Sequence, residues 1–482
     1  MDAKLLIDGR DTNASDDKTF LCINPLSGEP VTKAAAATAA DADAAVAAAS
    51  AAFPAWAALG PSARREMLLK AADTFEEKRG VFVETMIAEI GTTEVWAQFN
   101  VKLAAGIIRE AAAMTTQIGG EVIPSDKPGC IAMAVRQAAG VCVGIAPWNA
   151  PIILGVRAIA MPLACGNTVV LKASELCPGT HRLIGDVFRD AGFPAGTVNV
   201  ISNAPADAAA VVGALIAAPA VRRINFTGST RVGRVIATTA AQYLKPVLLE
   251  LGGKAPLIVL DDADLDAAVN AVAFGAFINQ GQVCMSTERV IVDGAVADEF
   301  VRKLAAKASS LPSGDPRTNR VVVGSMISVG AAKHAESLIV EAVKDGAIMV
   351  AGGTREGTIL PATVLDHVTP KMRIFAEESF GPSVSVIRVN GIEEAIRVAN
   401  DTEYGLSAAV FSKDVARALT VAARIETGIC HINGPTVHDE AQMPFGGVKG
   451  SGYGRFGGKA GVDEFTDLRW ITIETGPQHY PF

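Results

Sequence analysis

Paired cysteines are missing from this chain of 482 residues. Its seven cysteines are odd in number and form no CxxC pair, so the sequence has neither a disulfide framework nor the ligand spacing of a zinc site. We therefore predict a reducing compartment and no metal. The amino end, MDAKLLIDGRDTNASDD, has no apolar stretch of signal-peptide length and carries acidic residues. We interpret the protein as cytoplasmic.

An excess of positive charge is also missing. The chain has 43 Lys and Arg against 51 Asp and Glu, and this net charge of −8 provides no broad positive field for a nucleic acid. Long apolar runs are absent too, because Pro147, Asn149 and Pro151 interrupt the densest stretch, residues 141–156. A transmembrane helix needs ~20 uninterrupted apolar residues. We predict neither a nucleic-acid partner nor a membrane partner.

The length and the alternation of segments predict an α/β protein of about two or three domains. The runs VCVGIA (141–146) and TVVLK (168–172) read as buried strands with a helix between them, which is a βαβ unit. Further strands are expected at 197–201, 222–226 and 256–260. This order implies a parallel sheet with helices on both faces.

The rest of the chain is predicted from its periodicity. Residues 34–58 and 61–90 read as helical, and beyond residue 253 a second α/β alternation begins with a helix at 263–278. A cleft between the two α/β halves is the expected site. The segment DEFTDLRWITIE (463–474) alternates like an edge strand, which pairs readily with another subunit. We predict an oligomer.

A glycine-containing turn is predicted after the strand at 222–226. The segment TGSTRVG places Gly228 and Gly233 in a turn that opens a helix beginning near Ser229. The free N–H groups and the dipole of such a helix start can bind a pyrophosphate. The spacing is not the GxGxxG fingerprint, and a purely structural turn explains the same residues.

Lys172 ends a predicted strand, and Glu175 follows three residues later. Dinucleotides bind at the carboxyl ends of strands in open α/β sheets. A carboxylate there can accept both hydroxyls of an adenosine ribose and repels a 2′-phosphate, which favours NAD over NADP. The alternative is a surface Lys and Glu at a helix start.

Three residues carry candidate catalytic chemistry. Cys284 lies among glycine and small polar residues, and a thiolate adds to carbonyls far better than a hydroxyl does. Glu250 ends a strand-like run beside two glycines, where a semi-buried carboxyl has a raised pKa and can act as a general base. Asn149, in APWNAP, can donate its amide to a developing oxyanion. Each residue alone has a structural explanation, so the hypothesis depends on their joint occurrence.

Seven segments along the whole chain resemble, in order, the NAD(P)-dependent aldehyde dehydrogenase superfamily. They are PWN (147–149), LKASE (171–175), FTGSTRVG (226–233), LELGGK (249–254), GQVC (281–284), EESFGP (377–382) and PFGGVKGSGYG (444–454). The resemblance implies that Cys284 is the nucleophile, Glu250 the general base, and Asn149 the oxyanion donor together with the backbone N–H of Cys284. With it we assign the cofactor as NAD, in contact with Ile145, Pro147, Trp148, Lys172, Ser174, Glu175, Gly228, Ser229, Gly233, Leu251, Glu378 and Phe380.

The resemblance also implies an aldehyde dehydrogenase-like α/β fold with a Rossmann-type cofactor domain, an α/β catalytic domain and a small β oligomerisation arm. The boundaries we predict are 1–114 and 138–248 for the NAD-binding domain, 249–440 for the catalytic domain, 115–137 and 463–482 for the arm, and 441–462 for a segment returning to the cofactor domain. The assembly expected is a homodimer or a dimer-of-dimers tetramer.

Within the superfamily, several segments are most similar to aromatic-aldehyde dehydrogenases of the salicylaldehyde and vanillin type. Trp96, Phe99, Met285 and Phe445 are the apolar groups expected to hold a benzaldehyde ring, although a core role explains each of them equally. Arg157 could meet a ring hydroxyl or phenolate, with an internal salt bridge as the alternative.

The reaction expected is oxidation of an aromatic aldehyde to its acid through a thiohemiacetal and a thioester. Acylating relatives that use coenzyme A usually lack the base, so Glu250 argues for hydrolysis. An aliphatic aldehyde or a semialdehyde is the alternative substrate, and Arg157 is the cation that a semialdehyde carboxylate would need. A non-catalytic structural protein with this fold is the third hypothesis, which an intact Cys284, Glu250 and Asn149 disfavours.

Overall fold

The computed structural model describes residues 1–318 and 320–482. In chain order the strands are β1 Asp2–Ala3, β2 Leu5–Ile7, β3 Arg10–Thr12, β4 Thr19–Ile23, β5 Pro30–Ala35, β6 Glu121–Ile123, β7 Cys130–Ala138, β8 Val141–Ile145, β9 Thr168–Lys172, β10 Val198–Ile201, β11 Val221–Thr227, β12 Val247–Glu250, β13 Ala255–Val259, β14 Thr287–Asp293, β15 Ile348–Ala351, β16 Thr363–Asp366, β17 Ser383–Val389, β18 Ser407–Phe411, β19 Ile429–Ile432, β20 Gly452–Tyr453 and β21 Thr466–Glu474.

The α-helices, in the same order, are α1 Ala39–Ala57, α2 Pro61–Glu77, α3 Arg79–Ile90, α4 Glu94–Met114, α5 Pro151–Ala164, α6 Pro178–Asp190, α7 Ala208–Ala217, α8 Thr230–Gln242, α9 Leu265–Phe277, α10 Ala297–Ser309, α11 Val329–Lys344, α12 Arg373–Ala376, α13 Ile392–Asn400, α14 Val415–Ala422 and α15 Gly458–Glu464. Short 3-10 helices occupy Pro205–Asp207, Ile278–Gly281 and Lys449–Ser451. Within the described ranges, no helix combines the length and apolarity that crossing a bilayer requires.

An eight-stranded sheet contains the predicted βαβ unit. Its order is β20-β12-β11-β8-β9-β10-β2-β3, and the strands from β12 to β10 are parallel. In β9, Val169 and Leu171 pack into the core beneath α5 and α6, whereas Val170 packs into the core beneath α1 and α7. Because both faces are covered, the strand is apolar along its whole length.

A seven-stranded sheet forms the second α/β half, in the order β15-β16-β17-β14-β13-β18-β19. The prediction that the strand at 256–260 belongs to the first parallel sheet is wrong. β13 pairs with β14 and β18, because Gly252 and Gly253 turn the chain out of the first sheet after β12. The helix expected at 263–278 is α9, which the side chain of Asp264 caps.

The amino-terminal segment corrects another prediction. Residues 34 and 35 belong to strand β5 and not to a helix, since β5 pairs with both β1 and β4. The helix begins only after Thr38, which forms a capping box with Asp41. Strand pairing therefore overrides the helix propensity of alanine here. The helical region at 61–90 is two helices, α2 and α3, separated at Lys78.

A three-stranded antiparallel sheet in the order β21-β7-β6 stands beside these two units. The edge strand predicted within 463–474 is confirmed as β21, which pairs with β7 on one side only. Its side chains Leu468 and Trp470 are 62% and 77% exposed. Earlier in the chain, within residues 441–462, β20 pairs with β12 of the eight-stranded sheet.

Candidate active site

The carboxyl edge of the eight-stranded sheet gathers the residues predicted to hold a dinucleotide. Ile145 is aligned with Lys172 in β9 and with Phe226 in β11, and Thr227 is aligned with Glu250 in β12. The carboxyl ends of these neighbouring parallel strands therefore lie level with one another along one edge of the sheet. The loops that leave this edge carry Pro147, Trp148, Ser174, Gly228, Ser229 and Leu251.

Helix α8 starts at this edge, as predicted. Ser229 is its N-cap, and its Oγ accepts a hydrogen bond from the Val232 N–H at 3.4 Å. Gly228 precedes the cap. Gly233, however, lies inside α8 and not in the connecting turn. A Cβ at Gly233 would be 2.5 Å from a methyl carbon of Leu251, so glycine lets the helix lie close to the loop after β12.

Lys172 and Glu175 form an ion pair with each other. Asn203 donates its Nδ2 to Oε1 of Glu175 at 3.0 Å. Lys172 is only 5% exposed, so the alternative of a surface lysine is wrong. Both side chains belong to the carboxyl edge, yet neither lines the two cavities described below.

Cys284 lies between the 3-10 helix Ile278–Gly281 and β14. The backbone of that 3-10 helix has an unusual shape. The φ angles of Asn279, Gln280 and Gly281 are +47°, +58° and +70°, a left-handed run that non-glycine residues rarely adopt. Asn279 donates its Nδ2 to the main-chain oxygen of Asn149 at 3.0 Å. Buried side-chain hydrogen bonds of this kind hold the turn, and thereby the position of Cys284.

Asn149 is connected to this turn by its own side chain. Its Nδ2 donates to the main-chain oxygen of Gln282 at 3.0 Å, and Trp96 donates its Nε1 to the main-chain oxygen of Asn149 at 3.0 Å. The amide is 6% exposed and fixed in orientation. One N–H of the amide is engaged by Gln282, and the second makes no hydrogen bond in the part of the chain that the structure describes. That second N–H is available to an oxyanion.

Glu250 ends β12 and is 1% exposed, so it is fully buried and not semi-buried as the sequence suggested. Neither of its carboxylate oxygens has a hydrogen-bond partner among the described residues. Burial raises the pKa of Glu250 to about 7, and the Cys284 thiol and the Arg157 guanidinium partly oppose that rise. A carboxyl group with such a pKa can accept a proton near neutrality.

The thiol of Cys284 is not ionised by its surroundings. Burial and the neighbouring negative charge of Glu250 raise its pKa well above the usual value. A thiol with a raised pKa needs a base to form its thiolate, and the carboxyl of Glu250 lines the same cavity as Cys284.

Glu378 and Phe380 lie across from this group. Glu378 accepts the Gly253 N–H at 2.9 Å, and burial raises the pKa of its carboxyl to about 8. Phe380 has a φ of +44° and meets Trp148 edge-on, with ring centroids 5.8 Å apart. The two rings face the same cavity.

A buried ion pair supports that loop. The Nζ of Lys254 is 2.5 Å from Oε2 of Glu288, and the two side chains are 0% and 3% exposed. Glu288 also accepts the N–H groups of Ser379 and Phe380 at 2.9 and 3.1 Å. The ion pair therefore holds the strained backbone at Phe380.

Two cavities meet at the candidate catalytic residues. The first, which we call the apolar cavity, has a volume of about 380 Å³ and is lined by Trp96, Phe99, Arg157, Met285, Phe445 and their neighbours. The second, the edge cavity, has a volume of about 210 Å³ and is lined by Trp148, Ser229, Glu250, Glu378 and Phe380, among others. Asn149 and Cys284 line both. A molecule in either cavity would reach the same thiol.

The apolar cavity contains one buried ion pair. Arg157 contacts both carboxylate oxygens of Asp439, at 2.7 and 2.8 Å, and its guanidinium lies 4.4 Å from the centre of the Phe445 ring. The internal salt bridge considered from the sequence is thus present. Trp96 and Phe99 stack at 5.5 Å on another wall.

Comparison with known proteins shows the family to which this chain belongs. The model of the aldehyde dehydrogenase family matches residues 12–471. The chain belongs to the aldehyde dehydrogenase family. It is 62% identical to a vanillin dehydrogenase of Pseudomonas fluorescens and 52% identical to a salicylaldehyde dehydrogenase of Pseudomonas putida, each aligned over 100% of both chains. A solved salicylaldehyde dehydrogenase from Pseudomonas putida G7, in complex with salicylaldehyde, matches with a TM-score of 0.98 at 51% identity over 100% of both chains.

Membership of this family makes the chain an oxidoreductase that uses NAD or NADP. The edge cavity suits the nicotinamide end of such a dinucleotide. It has the free N–H groups at the start of α8, which can bind a phosphate, two aromatic rings near Cys284, and the carboxyl of Glu378.

Several residues of this aldehyde dehydrogenase site were missed from the sequence. Lys254 ends the motif LELGGK and Glu288 follows GQVC by four residues, but nothing in their spacing showed that they pair. Asp439 and His438 line the apolar cavity from a loop that carries no regular periodicity. Thr227 and Gly252 line the edge cavity beside predicted residues, and their strand-end positions were a usable signal.

Proposed function

We propose that this aldehyde dehydrogenase oxidises aromatic aldehydes to carboxylic acids with NAD as the electron acceptor. The observation that carries the proposal is the meeting of the two cavities at Cys284 and Asn149, with Glu250 buried beside them. The apolar cavity receives the aldehyde, and the edge cavity receives the nicotinamide end of the dinucleotide.

An aromatic ring suits the apolar cavity. Its walls carry Trp96, Phe99, Met285 and Phe445, which stack on or pack against flat apolar groups. Its volume of about 380 Å³ is in the usual range of small-molecule sites. The relatives named for vanillin and salicylaldehyde, two substituted benzaldehydes, support the same substrate class.

The residues divide the chemistry between them. Glu250 takes the proton of the Cys284 thiol, and the sulfur adds to the aldehyde carbon to give a thiohemiacetal. The negative oxygen is stabilised by the second N–H of Asn149 and by the backbone N–H of Cys284. When bound in the edge cavity, NAD would supply the acceptor for the hydride of that carbon. The acyl group then stays on sulfur as a thioester, and Glu250 releases the first proton to solvent. The Glu250 carboxylate next deprotonates the water that attacks the thioester, and the departing Cys284 sulfur takes that proton back.

NAD is preferred over NADP in this proposal because of Glu175. Its carboxylate stands at the sheet edge in the position suited to a ribose, and a 2′-phosphate would add negative charge beside it. Lys172 moderates the repulsion, since the two side chains are paired. Comparable efficiency with NADP would therefore remove the role given to Glu175.

A semialdehyde is a weaker candidate for this cavity. A distal carboxylate needs a free cation, and the Arg157 guanidinium already contacts both oxygens of Asp439. Binding a second carboxylate would require breaking that buried pair, which is costly.

Oligomerisation through the β21 edge is a further part of the proposal. The exposed apolar side chains on this edge strand suit pairing with a second copy of the chain. Sedimentation of the intact protein distinguishes monomer, dimer and tetramer.

The function is tested by measuring kcat/KM with NAD for benzaldehyde, salicylaldehyde, vanillin, succinic semialdehyde and short alkanals. We expect the aromatic aldehydes to exceed the others by more than tenfold, or ~1.4 kcal/mol in transition-state binding. Cys284→Ala is the control, because NADH formation must depend on the thiol. A kcat/KM for the alkanals or the semialdehyde that exceeds the aromatic values by the same margin would refute the aromatic assignment.

A further inference from the structure

His438 is a polar side chain of the apolar cavity that the proposed reaction does not use. Asn149 and Cys284 belong to the reacting end of the cavity. Arg157 and Asp439 satisfy each other in a buried ion pair. His438 therefore remains as a polar group that can contact a substituent of the ring.

The orientation of His438 is fixed from two sides. Its Nε2 is 2.9 Å from Oε1 of Glu440, whose other oxygen accepts the Nε2 hydrogen of Gln442 at 2.6 Å. Its ring also packs edge-on against His431, with centroids 5.1 Å apart and planes at 72°. Because a carboxylate only accepts hydrogen bonds, the Nε2 of His438 carries the hydrogen.

The other ring nitrogen of His438 is Nδ1. Within residues 1–318 and 320–482, Nδ1 of His438 makes no hydrogen bond. In the neutral ring, with the hydrogen on Nε2, this nitrogen is an acceptor. His438 therefore has an acceptor nitrogen without a partner among the described residues, on a side chain that lines the apolar cavity.

His438 lies at the outer end of this cavity. Its side chain is 49% exposed, similar to Phe99 at 40% and Phe274 at 47%, which line the same cavity. Asn149, beside the thiol, is only 6% exposed. The cavity thus runs from a buried reacting end to an open rim.

The shape of a benzaldehyde relates its substituents to these two ends. With the carbonyl carbon at the sulfur of Cys284, ring position 4 points directly away from the thiol and toward the rim, whereas position 2 stays beside the carbonyl. We infer that His438 is a specificity-determining residue that accepts a hydrogen bond from a hydroxyl group at ring position 4. This inference rests on the aromatic substrate class proposed above.

The test compares 4-hydroxybenzaldehyde with 4-methylbenzaldehyde, which has a similar shape but no hydroxyl. His438→Phe keeps an aromatic ring and removes the acceptor. We expect it to lower kcat/KM for 4-hydroxybenzaldehyde by about three- to tenfold, the usual size of one hydrogen bond. The values for 4-methylbenzaldehyde and salicylaldehyde should stay within about twofold. His438→Gln, which restores an acceptor, should recover most of the loss.

His334→Phe is the matched control. His334 is also about half exposed and near a glutamate, with Nε2 3.6 Å from Oε1 of Glu377, but it does not line the cavity. It should leave all the aldehydes unchanged. An equal loss for the hydroxyl and methyl substrates in His438→Phe would overturn the inference and leave the proposed function standing. A preference of the unaltered enzyme for alkanals would instead overturn the proposed function.

Discussion

Asn149 and Gln282 are joined by a hydrogen bond of 3.0 Å from the side-chain amide of Asn149 to the main-chain oxygen of Gln282. This bond connects the loop after β8, in the eight-stranded sheet, to the turn before Cys284. The amide that we propose as the oxyanion donor is thus held by the same segment that carries the thiol. Their relative position is set without a bound substrate.

Replacing the amide tests its role in the transition state. Asn149→Ala removes the oxyanion donor, and loss of one such donor lowers kcat by about 10²- to 10³-fold. Asn149→Asp keeps the size but cannot donate while ionised, so a similar loss is expected. Steady-state kinetics with benzaldehyde measure both. A rise in KM with kcat unchanged would instead assign Asn149 to substrate binding.

The pKa of Glu250 predicts the pH dependence of turnover. Because burial raises this pKa to about 7, the carboxylate that accepts protons forms as the pH rises through about 7, and kcat should rise with it. Glu250→Gln should lose this limb of the profile. Stopped-flow NADH absorbance measures the change. A variant that keeps the same limb and the same kcat would exclude Glu250 as the base.

The Lys254 and Glu288 pair is expected to be essential to stability. Lys254→Met leaves the carboxylate of Glu288 buried without its counter-ion, which typically destabilises a protein by about 3–5 kcal/mol. The thermal midpoint should fall accordingly. Arg234→Met is the matched control, since the Arg234 and Glu403 pair is 70% and 57% exposed and such pairs contribute under about 1 kcal/mol. Equal midpoints for the two variants would contradict the account.

Asp439→Asn tests why the cavity disfavours semialdehydes. The substitution removes the carboxylate that occupies Arg157, so the guanidinium becomes available to a substrate carboxylate. We expect the ratio of kcat/KM for succinic semialdehyde over benzaldehyde to rise by about tenfold, as a charge-assisted hydrogen bond allows. An unchanged ratio would mean that cavity shape, and not charge pairing, sets the preference.

The sequence predicted the parts of the site that depend on short contiguous segments. Cys284, Glu250 and Asn149 each lie in a motif, and parallel strands bring the ends of β8 and β12 to one edge. The helix start at Ser229 was predictable because a capping serine follows a strand directly. These features follow from local rules and from sheet topology.

The missed features depend on long-range pairing. Arg157 and Asp439 are 282 residues apart, and no periodicity indicates that they meet. Lys254 and Glu288 come together because β13 and β14 pair, with Ala255 opposite Thr287 and a register shift at Glu288. Gly233 was misplaced because a glycine in a helix resembles a turn glycine unless its packing partner, Leu251, is known.

The central claim is that the aldehyde is oxidised while attached to Cys284 at the junction of the two cavities. Mass spectrometry of peptides from the unaltered enzyme, quenched with acid during turnover of benzaldehyde and NAD, tests it most directly, because acid stops hydrolysis and preserves a thioester. The account predicts one benzoyl group on the Cys284 peptide, only when NAD is present. A benzoyl group on another cysteine such as Cys430, or on none, would contradict it.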